Sequence, residues 1–536
     1  MVTIEHAVKP GTLEDAARQD WDVIVVGGGM GGGAACHALT RNGHRVLLIE
    51  KGRANPEPDP ASDAGISSDR GKRLKHGHWP SRLKVDVDGA ASEIYPALGC
   101  GAGGSTLLYA GTLGRLRPGD FAAQRLPDGS SVAWPFRYED LAPYYQHMER
   151  LFHVCGTPDP LSPCDGDALL PPPAMGDRDR HFFDAMRQAG LHPYRQHMAV
   201  RYLEGCTECG GSPCGRDCKQ DARNVFILPA LATGLLTLLE ETEVVEVLAD
   251  RERARGVVVA GPDGPVTITG GVVVLASGAL STPAILQRSR SPAWPAGVGN
   301  DHDLVGRYLM FHTSDFVAVW PRRGLPAAGP GRTISFRDFY ELDGRKLGEV
   351  QSMGLSAGYP EILTFLHQWF EKSPLKRVGV VRPLLRIPAW LAAKVFSEAS
   401  VFATIVEDFP SPENRVVIGA DDPQDVEVRY AIPEELHQRV RDMRRLLIER
   451  LSRLRVMVVN HDVMLNYGHA CGTCRAGMDP ASSVVDADCR VHGLSNLYVL
   501  DGSFMPTSGG ANPSLTIGAN ALRVAERIVP AAREAA

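Results

Sequence analysis

Residues 22–33 read DVIVVGGGMGGG, a short run of Val and Ile that leads directly into a glycine-rich turn. The apolar run is typical of a strand that is buried on both faces of a parallel sheet. Residues 34–40 have helical character, and residues 44–49 form a second apolar run that ends at Glu50. Strand, glycine turn, helix and strand in this order predict one βαβ unit of an α/β sheet.

Gly27, Gly29 and Gly32 have the spacing of a dinucleotide-binding turn. The first glycine permits the tight turn, the second lets the backbone approach a pyrophosphate, and the third lets helix and strand pack closely. Glu50 follows Gly32 by 18 residues, where a carboxylate binds a ribose hydroxyl and repels a 2′-phosphate. These residues predict an adenine dinucleotide other than NADP, with a purely structural turn as the alternative. The motif alone does not separate FAD from NAD.

The overall composition excludes some classes of function. The 536-residue chain has 57 Lys and Arg against 63 Asp and Glu, a net charge of -6, so it lacks the basic excess of a nucleic-acid-binding protein. No apolar run approaches the roughly 18 to 20 residues of a membrane-spanning helix, and the N-terminus has no apolar core of a secretory signal. We therefore expect a cytoplasmic protein with neither a nucleic-acid partner nor an integral membrane segment.

The most informative stretch lies near the C-terminus. Residues 467–527 read YGHACGTCRAGMDPASSVVDADCRVHGLSNLYVLDGSFMPTSGGANPSLTIGANALRVAER. This stretch resembles the C-terminal signature of the glucose-methanol-choline (GMC) oxidoreductases, in which H-x-x-G-T, S-V-V-D, N-L-Y-V-x-D-G-S and N-P-x-x-T follow one another. Residues 278–286 resemble the second signature of that family, and residues 99–111 resemble its flavin-contacting glycine loop.

The resemblance implies a fold and a domain organisation. We expect an α/β fold in which a Rossmann-like FAD-binding domain is combined with a discontinuous α+β substrate-binding domain, built on an antiparallel sheet with helices. The expected ranges are 1–20 for an N-terminal extension, 21–125, 206–312 and 461–536 for the FAD-binding domain, and 126–205 and 313–460 for the substrate-binding domain.

The resemblance also implies which residues bind FAD and which act on the substrate. His469 matches the catalytic histidine of H-x-x-G-T, and Asn512 matches the second active-site position, which is His or Asn in this family. No histidine occurs in residues 105–108, where some members attach FAD covalently, so we expect non-covalent FAD. The family pattern assigns the cofactor to Gly27, Gly29, Gly32, Glu50, Gly103, Ser105, Val244, Asp501, Gly502 and Pro513.

These residue types suit the oxidation of an alcohol to a carbonyl. The reaction removes a proton from oxygen and a hydride from carbon, and N5 of the flavin takes the hydride, so the protein must supply a base. A neutral imidazole near pH 7 suits that role for His469. The amide of Asn512 can hydrogen-bond the alcohol oxygen without competing for its proton.

The substrate is less well defined by the sequence. The polar loops favour a sugar or amino sugar hydroxyl, and the chain resembles members that oxidise a primary hydroxyl of aminoglycoside intermediates. The alternatives are a sterol or an aliphatic alcohol as the substrate, or a non-redox flavoprotein of the same fold such as a lyase. His469 and Asn512 together favour the redox reaction, with oxygen or another electron acceptor to reoxidise the flavin.

A dense cysteine cluster lies outside these signatures. Cys206, Cys209, Cys214 and Cys218 stand in short loops, which cost little entropy to close around a metal. The stretch 209–222 resembles the iron–sulfur segment of bacterial FAD-dependent glucose dehydrogenases, so Cys209, Cys214 and Cys218 are candidate cluster ligands. Zinc is a second alternative. We favour free thiols or a disulfide beside the flavin, and therefore no metal.

Residues 362–406 combine apolar positions with several lysines and arginines. The pattern favours a pair of core or lid helices, with an amphipathic patch that docks on a membrane or a partner as the alternative. The larger region 313–460 matches the family pattern poorly, and we expect the residues that determine substrate specificity to lie there.

Overall fold

The computed structural model describes residues 9–60, 63–162, 166, 168–321, 325, 328–354, 370, 384–389, 398–419 and 425–528. The α-helices are α1 Leu13–Ala17, α2 Met30–Arg41, α3 Arg70–Lys75, α4 Tyr138–Leu151, α5 Asp177–Gln188, α6 Leu228–Ala232, α7 Ser281–Arg288, α8 Glu434–Arg450 and α9 Ser514–Ala525. The strands are β1 Trp21–Val26, β2 Val46–Ile49, β3 Leu83–Val87, β4 Ala90–Ile94, β5 Gln124–Arg125, β6 Ser131–Val132, β7 Tyr194–Arg195, β8 Leu236–Leu239, β9 Val244–Ala249, β10 Ala254–Gly261, β11 Gly264–Leu275, β12 Met310–Thr313, β13 Phe316–Trp320, β14 Ile334–Phe336, β15 Glu341–Leu342, β16 Arg345–Lys346, β17 Gly348–Ser352, β18 Ser400–Val406, β19 Arg415–Ile418, β20 Val426–Tyr430, β21 Arg455–Val458, β22 Leu465–Cys471 and β23 Leu497–Val499.

A largely parallel sheet holds the glycine-rich turn. Its order is β8-β2-β1-β11-β10-β9, and β23 also pairs with β11. Strands β1, β2, β8, β11 and β23 pair in parallel, whereas β9 and β10 add an antiparallel edge. Val23 lies opposite both Val46 and Val272 and is fully buried, as a strand covered on both faces requires. The predicted βαβ unit is confirmed, although α2 begins at Met30, inside the glycine turn.

An antiparallel sheet forms the second layer of the molecule. Its order is β21-β13-β18-β17-β14-β7, and β12 joins it between β18 and β22. Helix α8 covers this sheet because Leu436, Val440 and Met443 form one apolar stripe at helical spacing. The stripe shares a hydrophobic core with Val317 of β13 and Phe336 of β14. The predicted α/β class, with an antiparallel sheet and helices in the second part, is confirmed.

The chain passes repeatedly between the two sheets. Strands β19, β20, β3 and β4 form a further four-stranded sheet in that order, and α9 packs against α2 and α4. The domain limits given above stay a prediction. Most of the stretch 362–406 lies outside the described residues, and only β18 represents its end. Among the residues that the structure describes, no helix is long and apolar enough to cross a membrane.

Candidate active site

The glycine turn between β1 and α2 is built without room for side chains. Gly27 has φ of +96°, a left-handed conformation that favours glycine. A Cβ on Gly32 would stand 1.9 Å from the Gly27 carbonyl oxygen, so the third glycine of the motif is required for helix and strand to pack. This is the packing role that the sequence motif predicts.

The start of α2 offers an open cradle for an anion. Gly29 is the N-cap of this 12-residue helix and gives it no side-chain cap, and the first turn contains no acidic residue. A Cβ on Gly29 would meet only the Gly104 Cα, at 3.9 Å, so the space in front of the helix is free. Exposed N–H groups at a helix N-terminus bind phosphate groups. The site therefore fits the pyrophosphate of an adenine dinucleotide.

Glu50 lies at the carboxyl end of β2, beside the turn. Its two carboxylate oxygens accept hydrogen bonds from the backbone N–H groups of Gly28 and Gly52, each at 2.8 Å. Burial raises the pKa of Glu50, and these N–H donors oppose that rise. The segment that leads into β9 runs alongside, because Thr242 N–H donates to the Glu50 carbonyl oxygen. Val244 is thereby placed near the same edge.

The second glycine loop, residues 99–111, packs directly on the first. Gly103 N–H donates to the Gly28 carbonyl oxygen at 2.8 Å, and a Cβ on Gly104 would stand 2.6 Å from the Gly29 Cα. Ser105 is exposed, and its Oγ accepts from Gly99 N–H at 3.1 Å. Two backbone turns that are far apart in sequence therefore form one continuous surface.

Asp501 and Gly502 come shortly after β23 of the parallel sheet. The buried Asp501 carboxylate accepts from the backbone N–H groups of Gly278 at 2.9 Å and Ser503 at 2.8 Å. Gly502 packs under β22, and Pro513 is the N-cap of α9. Asp501 thus joins the segment at Gly278 to its own segment after β23, and burial raises its pKa despite these donors.

A wide bulge in β22 presents His469. Met310 of β12 pairs with Cys471, whereas His312 pairs with Asn466, so two steps along β12 correspond to five along β22. The extra residues of β22 include His469. Bulges of this kind turn a side chain out of its regular position and are frequent beside active sites. Gly502, which comes shortly after β23 of the parallel sheet, supports the bulge because its backbone lies close to the Ala470 carbonyl oxygen.

His469 forms a hydrogen-bonded pair with His312. The two Nδ1 atoms are 3.0 Å apart, and the rings are nearly perpendicular, at 89°. His312 Nε2 lies 2.8 Å from the Gly509 carbonyl oxygen, which only accepts, so this nitrogen carries the proton. In the neutral ring, Nδ1 of His312 must then accept, and Nδ1 of His469 must donate to it. Nε2 of His469 is therefore unprotonated.

Burial keeps both rings neutral. It lowers the pKa of His312 to about 4, and burial together with the neighbouring His312 lowers the pKa of His469 to about 3. Within the described part of the chain, Nε2 of His469 makes no hydrogen bond. The neutral imidazole therefore offers an unprotonated Nε2 as a proton acceptor.

Asn512 is oriented by β17 of the antiparallel sheet. Its Nδ2 donates to Glu349 Oε1 at 3.1 Å and to Gln351 Oε1 at 2.9 Å, which uses both N–H bonds. Glu349 is itself paired with Arg337 at 2.7 Å, and both side chains are fully buried. The loop before Asn512 is fixed to the same strand, because Glu349 N–H donates to the Gly510 carbonyl oxygen at 3.1 Å.

The sequence alone did not identify several residues of this site. His312, Glu349 and Gln351 lie in stretches outside the family signatures, and they reach His469 and Asn512 only through strand pairing. The one signal available was a polar side chain inside an otherwise apolar strand, as with His312 in β12. That pattern indicates a buried polar group but does not reveal its partner.

The cysteine-rich loop, residues 206–218, packs against the glycine loop 99–111, because Gly211 N–H donates to the Leu108 carbonyl oxygen at 2.7 Å. Cys206, Cys209 and Cys214 are half-buried free thiols, and Cys218 is a buried one. Among the residues that the structure describes, no group of three or more His, Cys, Asp or Glu side chains is arranged to hold a metal ion. The iron–sulfur and zinc alternatives therefore have no support in the structure.

Comparison with known proteins gives a consistent result. Residues 24–314 and 414–521 both match the family described as GMC oxidoreductase. Paromamine 6'-oxidase of Streptomyces fradiae is 32% identical over 98% of this chain and 95% of its own length. The 6'''-hydroxyparomomycin C oxidase of Streptomyces lividus is 31% identical over 97% of this chain and 93% of its own length. Pyridoxine 4-oxidase from Mesorbium loti has a similar fold, with a TM-score of 0.64 at 20% identity over 95% of this chain and 99% of that one.

The chain belongs to the GMC oxidoreductase family. It is therefore an FAD-dependent enzyme that oxidises an alcohol, and the predictions of family, enzyme class and flavin cofactor are confirmed. The individual site residues, the mode of FAD attachment and the cytoplasmic location stay predictions.

Proposed function

We propose that this enzyme oxidises a primary hydroxyl of a polyhydroxylated amino sugar, such as an aminoglycoside intermediate, to a carbonyl. The observation that carries the proposal is the histidine pair, because it leaves Nε2 of His469 as a free proton acceptor. By their names, two relatives act on paromamine and on a hydroxyparomomycin. Asn512 Oδ1, an acceptor that the bonds to Glu349 and Gln351 do not use, suits a hydroxylated sugar better than the apolar face of a sterol.

The histidine pair supports proton removal at one defined atom. A substrate hydroxyl that donates to Nε2 of His469 passes its proton to that nitrogen as the carbinol carbon loses hydride. The Nδ1–H bond to His312 fixes the ring orientation during this step, and the Gly509 carbonyl oxygen fixes His312 in turn. FAD, when bound, supplies the hydride acceptor of the reaction.

Asn512 is proposed to recognise a second polar group of the substrate. Its N–H bonds are already taken by Glu349 and Gln351, so Oδ1 is the atom that remains to contact a ligand. An amide oxygen only accepts hydrogen bonds, and the reacting hydroxyl directs its single proton at His469. The proposed partner of Asn512 is therefore a neighbouring hydroxyl or amino group. The sequence predicted a contact with the reacting oxygen instead.

The proposed cofactor residues separate into two groups with different tasks. Gly29 faces the open cradle, whereas Gly32 faces protein backbone. We expect Gly29→Ala to leave the thermal stability of the apoprotein unchanged and to weaken FAD binding, because the added methyl group occupies the anion cradle. Fluorescence titration of apoprotein with FAD measures this, with Gly32→Ala as the matched variant that loses folding stability itself. Wild-type FAD affinity in folded Gly29→Ala would argue against the pyrophosphate position.

Attachment of FAD is proposed to be non-covalent. The loop that would carry a histidine link in other members has none at residues 105–108, and its Ser105 is held by Gly99. We expect acid precipitation of the yellow holoenzyme to release all of the flavin into the supernatant and to leave a colourless protein pellet. Colour that stays with the pellet would show a covalent bond.

The substrate class is tested by anaerobic reduction of the bound flavin. We expect paromamine or a related pseudo-disaccharide to bleach the flavin absorbance at far lower concentrations than a sterol or a simple aliphatic alcohol. A derivative that lacks the primary hydroxyl serves as the control, since it should bind without bleaching. If no alcohol bleaches the flavin while dithionite does, the proposed reaction is wrong. Admitting oxygen afterwards shows whether oxygen or another acceptor completes the cycle.

A further inference from the structure

Residues 508–512 form a loop just before α9 that contacts both parts of the proposed catalytic site. The Gly509 carbonyl oxygen lies 2.8 Å from Nε2 of His312, and His312 in turn is hydrogen-bonded to His469. Asn512 stands three residues further along the same loop. A displacement of loop 508–512 therefore moves two things together, the acceptor that sets the histidine tautomer and the amide that is proposed to contact the substrate.

The two ends of this loop are fixed by side chains, whereas its middle consists of glycine. Asp408 N–H donates to Ser508 Oγ, and Ser508 Oγ donates to the Asp408 carbonyl oxygen, each at 2.9 Å. At the other end, the Asn512 amide is bonded to β17 as described above. Gly509 and Gly510 have no side chain that could anchor the stretch between these ends. The middle of the loop therefore depends on contacts made to its backbone.

Tyr340 supplies such a contact. Gly510 N–H donates to the Tyr340 hydroxyl oxygen at 3.1 Å. A Cβ on Gly510 would stand 2.8 Å from Tyr340 Cε2, so the ring lies directly against the loop backbone. Tyr340 is 2% exposed, and a buried N–H group that loses its partner is costly. The hydroxyl therefore restrains the position of the loop.

The Tyr340 hydroxyl is itself held by a buried carboxylate. It donates to Asp120 Oδ2 at 2.6 Å, and Asp120 Oδ1 is paired with Lys346 Nζ at 2.8 Å. Burial, together with the neighbouring Asp120, raises the pKa of Tyr340 well above its usual value, so the hydroxyl stays protonated. Because its proton is directed at Asp120, the hydroxyl oxygen is left to accept from Gly510 at a defined place.

Two arginines hold the Tyr340 ring independently of its hydroxyl. The guanidinium groups of Arg117 and Arg337 lie 4.6 Å and 5.5 Å from the ring centroid, within the range of cation–π contacts. Arg337 also pairs with Glu349, which accepts from Asn512. A phenylalanine at this position would retain the ring contacts and lose only the hydroxyl, so the hydrogen bonds can be removed by themselves.

We propose that Tyr340 is a positioning residue that keeps loop 508–512 in the place where its backbone holds His312 and where Asn512 can meet the substrate. Tyr340 acts through these two residues and not on the reacting atoms. The inference rests on the roles proposed above for the histidine pair and for Asn512. Its new element is that one hydroxyl, held by Asp120, controls the placement of both.

Tyr340→Phe tests the effect on the reaction. With paromamine as the alcohol, we expect the rate of anaerobic flavin reduction to fall on the order of tenfold, because a loop shift of a fraction of an ångström costs less than the roughly 10²-fold of a 1 Å misplacement. FAD content should not change. Tyr145→Phe is the matched control, since Tyr145 is equally buried and its hydroxyl bonds Thr516 Oγ1 at 2.8 Å. It should lose comparable thermal stability and keep the wild-type rate.

Proton NMR gives a readout that needs no substrate. The imidazole N–H protons of the histidine pair should resonate downfield of the backbone amides, and His312→Leu identifies them because it removes these signals. We expect their chemical shifts to change in Tyr340→Phe and to stay unchanged in Tyr145→Phe. If Tyr340→Phe does not fold, Asp120→Asn should produce the same changes at smaller size, because it removes the charge that holds the hydroxyl.

A double variant separates positioning from general loosening. Tyr340→Phe should slow His312→Leu by a smaller factor than it slows the wild type, because His312→Leu already breaks the link to Gly509. A wild-type rate in folded Tyr340→Phe, unchanged imidazole signals, or fully additive effects in the double variant would each overturn the proposal. If paromamine fails to reduce the wild-type flavin, the substrate proposal is wrong, and the imidazole signals still decide the role of Tyr340.

Discussion

His469→Ala is expected to slow anaerobic reduction of the bound flavin by about 10²- to 10⁴-fold, the contribution typical of a positioned base. The substitution removes the only atom proposed to take the hydroxyl proton, Nε2, and leaves Gly29 and Glu50 untouched. FAD content and thermal stability should therefore stay close to those of the wild type. Stopped-flow absorbance of FAD-replete variant mixed with a saturating alcohol measures the rate.

His492→Ala is the matched control for this variant. His492 lies in the same C-terminal block, is partly buried and hydrogen-bonds Ser483 at 2.9 Å, yet it belongs to no part of the site. Its loss should leave the rate of flavin reduction unchanged. If His469→Ala reduces flavin within a few-fold of the wild-type rate, another residue is the base. If the His469→Ala variant mainly loses FAD, His469 serves to pack against the cofactor and is not the base.

The pH dependence of the wild type gives a further check on His469. Its pKa is lowered to about 3, and the neutral ring is the active form, so activity is retained above that value and lost as pH falls through it. The rate of flavin reduction should therefore stay flat from about pH 8 to about pH 5, without the decline near pH 6.5 that an exposed imidazole gives. A decline centred near pH 6.5 would contradict the buried neutral pair.

His312→Leu is expected to cost about 10²-fold in the same rate, the size of loss that a misplaced reacting group produces. Leu cannot accept from Nδ1–H of His469, so the ring loses its fixed orientation and its preference for the tautomer with a free Nε2. The base itself is still present, and the loss should therefore be smaller than in His469→Ala. FAD content measured by absorbance should not change.

His312→Asn separates positioning from packing. An asparagine at this place can still offer an oxygen to Nδ1–H of His469, although it does not reach the Gly509 carbonyl oxygen. We expect it to recover most of the rate that His312→Leu loses. If the two variants are slowed equally, His312 only fills space. If neither variant is slowed, His312 has no part in the mechanism.

The parts of the fold that could be predicted from sequence are those set by neighbouring residues. The strand, the glycine turn and Glu50 lie within thirty positions of one another, and each has a steric or hydrogen-bonding role that its residue type reveals. His469 and Asn512 came from the family signature, which fixes their positions in the sequence but not their partners. The antiparallel sheet followed from the same resemblance.

The rest depends on register between distant strands. The bulge that opposes two residues of β12 to five of β22 sets which side chain meets His469, and no local pattern specifies such a mismatch. The acceptors for the Asn512 amide N–H groups, Glu349 and Gln351, come from alternate positions of β17.

The pairing of β12 with β22 has a consequence for synthesis on the ribosome. The first strand of this pair leaves the exit tunnel long before residues 465–471 are translated, so its edge stays without that partner for much of elongation. Strand pairs so distant in sequence form slowly and expose aggregation-prone edges meanwhile. The nascent protein should therefore depend on chaperones late in translation, and polypeptides that stop before residue 465 should accumulate as insoluble, colourless material.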